Sequence, residues 1–111
     1  MIQIQQTRPT TLRKVQSALT LRITIVGSEP AIWRTVAVSR KASLHELHRT
    51  IQLIFSWLDY HLYEFRIHEE IYQAPWEESR GLDSTKTRLT SLDLKPGDTF
   101  QYLYDFGDDW Y

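Results

Sequence analysis

The chain has 111 residues, 41% hydrophobic and 13% aromatic, which suits one globular domain with one core and excludes a disordered chain. Formal net charge is −1, which argues against wholesale electrostatic attraction to nucleic acid or anionic membrane and leaves only a local basic patch open. There is no cysteine, so disulfides, zinc–thiolate sites and thiol catalysis are excluded.

Residues 1–17 are polar and weakly basic, with Arg8, Arg13 and Lys14 around Pro9. They read as a flexible N-terminal arm ahead of one α+β domain over residues 18–111. Such an arm can touch a nucleic-acid backbone, but three cations are few, and an untied terminus is the simpler reading. Met1 to Gln6 lacks the apolar core of a secretion signal, and no later run is long enough to span a bilayer. The expectation is a cytoplasmic protein with no membrane partner.

Leu19, Leu21, Ile23 and Ile25 alternate with Thr20, Arg22 and Thr24, the pattern of a strand with one buried face. Gly27-Ser28-Glu29-Pro30 is turn chemistry, and Ile32 to Val38 reads as the returning strand of a hairpin. Ser43-Leu44-His45-Glu46 is a capping box that opens a helix running to about Trp57. Leu44, Leu47, Ile51, Ile54, Phe55 and Leu58 share one stripe of that helix at 100° per residue. Leu53 and Trp57 fall opposite, where a surface helix places charge, so the last turns predict a second neighbour.

At Phe55 to Phe65 the apolar period switches from helical to alternating, and the helix hands the chain into a strand with His61, Tyr63, Phe65 and Ile67 on one face. His68-Glu69-Glu70 predicts a tight turn into Ile71-Tyr72-Gln73. Residues 74–87 read as a loop. Leu89, Leu92 and Leu94 predict a short helical turn that plugs the core, and Lys95-Pro96-Gly97-Asp98 a turn. Thr99 to Phe106 is the last strand, with Phe100, Tyr102, Tyr104 and Phe106 on one face. Gly107-Asp108-Asp109 then opens a hairpin turn with only Trp110-Tyr111 to return, so the last hairpin reads as incomplete and the chain as cut there.

The whole predicts an α+β fold. One antiparallel sheet of four to five strands has one main helix packed on one face, in the order β-β-α-β-β-β. With its partner strand missing, Thr99 to Phe106 would be an exposed apolar edge prone to self-association.

Several motifs occur together and in order. They are Val26-Gly27-Ser28-Glu29-Pro30-Ala31-Ile32-Trp33-Arg34, Leu44-His45-Glu46-Leu47-His48 with Ile51-Gln52, Trp57 with Tyr60-His61-Leu62-Tyr63-Glu64-Phe65, and Leu94-Lys95-Pro96-Gly97-Asp98 with Tyr104-Asp105-Phe106-Gly107-Asp108-Asp109-Trp110. In this the chain resembles the plasmid ORF-three-like (pRiA-type) family, also called the TnpR passenger protein of an insertion element. The resemblance covers about Leu19 to Tyr111. It implies a bacterial or archaeal α+β domain from plasmids or mobile elements, and brings no catalytic residues with it. No serine-recombinase signature accompanies the TnpR name.

Two functions follow from the residues. The first is a non-enzymatic binding or scaffold domain, with a protein partner or self-association and, less supported, nucleic acid. Its surface would lie at Trp57, Tyr60 and His61. The second is a phosphoester hydrolase in which Asp105, Asp108 and Asp109, three carboxylates within five residues, hold Mg²⁺ or Mn²⁺ beside His61. Aspartates in that pattern also serve hairpin turns by accepting backbone N–H bonds, which is the commoner role. His45 and His48 lie three apart on the helix, not at the spacing of a zinc protease. The aromatic row lacks the interleaved lysines and arginines of a base-stacking sheet, so it reads as core.

Overall fold

The structure, a computed structural model, describes residues 1–5, 18–27, 30–57, 62–75 and 81–104. Seven strands form one sheet: β1 (Ile2–Gln5), β2 (Ala18–Ile25), β3 (Ile32–Ser39), β4 (Tyr63–Ile67), β5 (Glu70–Gln73), β6 (Leu82–Asp83) and β7 (Thr99–Tyr104). Their spatial order is β3-β2-β1-β7-β4-β5-β6. Every pairing is antiparallel except β5–β6. Among the described residues, one helix, α1 (Leu44–Ile54), and a 3-10 turn at Leu89–Leu92 accompany the sheet in an α+β architecture.

The expected order lacked two strands. Ile2 to Gln5 is not part of a loose arm. Ile2 and Ile4 are buried, and the four residues pair with β2 on one side and β7 on the other. Four residues are too short for a period to stand out, so their burial is a tertiary fact. The rest of the expected arm, residues 6–17, lies outside the described residues. The second addition is β6, which Gly81 admits beside β5: a Cβ there would sit 2.7 Å from the Ile71 carbonyl oxygen.

β4 pairs with Tyr104, Leu103, Tyr102 and Gln101 of β7, and β1 pairs with Thr99 and Phe100 on the other side, so the start of β7 lies inside the sheet rather than at an edge. The expected unfinished hairpin falls in residues 105–111, outside the described residues.

The elements themselves follow local chemistry. Leu19, Leu21 and Ile23 point into the core, and Gly27 takes φ 85° to turn the chain toward β3. The capping box closes in both directions: the Ser43 hydroxyl accepts from the Glu46 amide at 3.0 Å, and a Glu46 carboxylate oxygen accepts from the Ser43 amide at 3.4 Å. The next amides donate to a neighbouring loop, Leu44 to Thr87 and His45 to Ser84. Leu44, Leu47 and Ile51 seal α1 onto the sheet with Phe65, Phe100, Leu89 and Leu92. The turn at Lys95 to Asp98 forms as expected, with Gly97 at φ 93°. No helix among the described residues is long and apolar enough to cross a membrane.

Candidate functional site

Two groups of polar and aromatic side chains lie where α1 meets the sheet. The first is interior. His48 and Gln52, one turn apart on α1, converge on Tyr102 of β7: the hydroxyl lies 2.7 Å from His48 Nδ1 and accepts from Gln52 Nε2 at 2.8 Å. With Gln52 donating, the hydroxyl proton can go to Nδ1, which favours the imidazole tautomer carrying its proton on Nε2. His48 also lies flat on Tyr63 of β4, with ring centroids 3.7 Å apart at 10°. The Tyr63 hydroxyl meets His45 Nδ1 at 2.8 Å and the fully buried Ser84 hydroxyl at 2.5 Å. These groups satisfy one another, as buried polar atoms must. His45 and His48 are thus tied to tyrosines rather than to each other.

The second group is at the end of α1 and includes Trp57, the one expected surface residue that the structure describes. Phe55 is the C-cap, and Ser56 follows in the left-handed region at φ 58°. The Trp57 amide donates to Gln52 O at 2.9 Å and the Ser56 amide to Leu53 O at 3.2 Å. This pair of bonds is the Schellman motif, which reverses the chain and fixes the residue after the turn. Trp57 therefore leaves the helix in one orientation. Its indole lies parallel to Tyr104, 5.5 Å away at 3°, and stacks with Phe55 at 5.1 Å and 24°. The Arg34 guanidinium of β3 stands 5.8 Å from the Phe55 ring centroid, within cation–π range. Trp57 keeps 36% of its surface exposed, and Ile32, Leu53 and Val26 are exposed as well.

The second neighbour predicted for the last turns of α1 is thus partly the sheet itself, through Tyr104 and Arg34. Leu53 remains 81% exposed. Tyr60, His61, Asp105, Asp108 and Asp109 lie outside the described residues. Among the described residues no group of three or more His, Asp or Glu comes together as a metal would require. Glu64 and Arg66 of β4 form an ion pair, and the buried Glu64 also accepts from Gln73 Nε2 at 3.4 Å. Sequence reasoning missed the interior cluster; the one legible signal was His48 and Gln52 at one-turn spacing above alternating tyrosines.

Comparison with known proteins adds a family but no activity. The family description "plasmid pRiA4b ORF-3-like protein" matches residues 17–111. The chain is 36% identical over 99 residues to the uncharacterized protein y4hQ of Sinorhizobium fredii, covering 86% of this chain and 51% of that protein. The crystal structure of MM3350, a protein of unknown function from Methanosarcina mazei, superposes with a TM-score of 0.74 at 29% identity, covering 84% of this chain and 55% of that one. The chain spans about half the length of these relatives. Motifs, fold and extent of match agree, and the chain belongs to the plasmid pRiA4b ORF-3-like family.

Proposed function

We propose that this chain is a non-enzymatic binding or scaffold domain of plasmid or mobile-element type, with a contact surface centred on Trp57. The observation that carries the reading is the fixed, part-exposed indole. The Schellman turn and two stacked rings remove its conformational freedom, so little entropy is left to lose when a partner covers it. Rigid aromatic side chains of this kind anchor protein contacts. The TnpR passenger role belongs to the same reading.

Sedimentation velocity over a range of concentrations, with wild type and Trp57→Ala, tests it together with a gel-shift against plasmid DNA. The expected result is self-association or DNA binding that Trp57→Ala weakens. A chain that stays monomeric, ignores the DNA and turns over a phosphoester substrate with Mg²⁺ or Mn²⁺ would overturn the reading.

A further inference from the structure

The net charge of −1 conceals a division. Residues 1–45 hold seven of the thirteen lysines and arginines but only one of the fourteen acids, Glu29. The remaining residues are correspondingly acidic. Sheet order turns this sequence division into a spatial one. β3, β2 and β1 are consecutive, and β7, β4, β5 and β6 follow. The first three strands contain Arg22 and Arg34 and no carboxylate, whereas β4, β5 and β6 carry Glu64, Glu70 and Asp83. Arg40 and Lys41 follow β3 directly.

On the sheet face away from α1, β2 and β3 present Thr20, Arg22, Thr24, Trp33 and Thr35. Thr24 pairs with Trp33 and Arg22 with Thr35, so Arg22 is the diagonal neighbour of Trp33. Its guanidinium carbon stands 4.2 Å from the ring centroid, and the indole remains 45% exposed. A planar ring held by an arginine, with uncharged hydroxyls around it, offers what an unpaired base and its phosphate need: a surface to stack on and a cation to neutralise.

We propose that the β1–β3 half of the sheet is a binding surface for single-stranded nucleic acid, with Trp33 as the stacking residue and Arg22 as the phosphate contact. Charge complementarity selects the polyanion, and the exposed indole favours unpaired bases over an acidic protein. The inference rests on the chain being a binding domain but not on the Trp57 surface. The cations are few, so binding is weak and salt-sensitive.

Fluorescence anisotropy of a labelled oligothymidylate of about twenty nucleotides tests it, in about 50 mM and about 200 mM salt. Wild type is expected to bind and to weaken as salt rises. Trp33→Ala is expected to weaken binding about tenfold or more. Arg22→Gln is expected to weaken it and flatten the salt dependence. Trp33→Phe, which keeps a ring, retains most of the affinity and guards against loss of fold. Glu69→Gln, on the far side of the sheet, leaves binding unchanged. No anisotropy change at low salt, an unchanged affinity for Trp33→Ala, or equal competition by polyglutamate would each overturn the inference. Trp57-dependent self-association without oligonucleotide binding would remove this inference alone and leave the binding-domain reading in place.

Discussion

The imidazole of His48 lies 3.7 Å from the Tyr63 ring and within 10° of parallel to it, while its Nδ1 meets the Tyr102 hydroxyl at 2.7 Å. One buried histidine thereby joins α1 to two neighbouring strands, β4 and β7. Its ring lies against one tyrosine and its nitrogen is held by the other. The cluster sets the height and angle of α1 over the sheet, and so the position from which Phe55 and Trp57 emerge.

Removing one hydroxyl from this cluster leaves two partners short. Tyr102→Phe is expected to destabilise the fold by about 1–3 kcal/mol, because His48 and Gln52 are buried and each loses a hydrogen bond. Urea unfolding followed by circular dichroism measures this. A change in midpoint within error of zero would show that the cluster does not hold α1 in place.

Ser56 occupies a position that glycine takes in most Schellman turns, at φ 58° with a Cβ attached. Ser56→Gly is expected to stabilise the chain by about 1 kcal/mol through relief of the left-handed conformation. Its Trp57 fluorescence should stay at the wild-type wavelength, since the indole keeps both stacked rings. Destabilisation would mean the serine side chain makes a bond worth more than the strain.

The β4–β5 hairpin turns on His68 and Glu69, both with positive φ, at 49° and 68°. Two-residue turns of this kind prefer Asn-Gly. Glu69→Gly is expected to raise the unfolding midpoint by the equivalent of about 0.5–1 kcal/mol. It also leaves the contact between His68 Nε2 and the Leu92 carbonyl at 3.2 Å undisturbed. Thermal unfolding of the two proteins side by side decides the sign.

Asp83 gives the chain an acid-sensitive turn. Its carboxylate accepts from the Thr85 hydroxyl at 2.5 Å and the Thr85 amide at 2.9 Å. The Thr85 hydroxyl bond, chiefly, holds its pKa below the ordinary value of 3.8. A carboxyl depressed by folding contributes stability above its unfolded pKa, and that contribution is lost as pH falls through the lower, folded value. Wild type should therefore lose stability relative to Asp83→Asn as pH drops below about 4. Parallel stability curves for the two proteins across that range would refute the assignment.

Much of the fold was legible locally. The Leu19–Ile25 alternation, the Ser43–Glu46 capping box and the Lys95–Asp98 turn each form as expected, because each is decided by neighbours a few residues away. The aromatic row was read correctly as core-facing at Phe100, which is buried. Its place in the sheet was not. A strand's alternation shows which face is buried but not which strands flank it, so neither β1 beside Thr99 and Phe100 nor β4 on the other side of β7 could be read from it. Trp57 was legible as an apolar residue on the wrong side of a helix. Its partner Tyr104 was not, lying on the last strand and joined to it only by the return of the chain.

The sequence by itself determined the main helix, five of the strands, the capping and turn chemistry and the family, because these rest on local spacing and ordered motifs. Only the tertiary structure decided that β1 belongs inside the sheet and that His48 links α1 to two tyrosines. It also decided that the basic N-terminal strands stand together. Net charge is a sum over the chain, and the field at a surface depends on where strand order puts each charge.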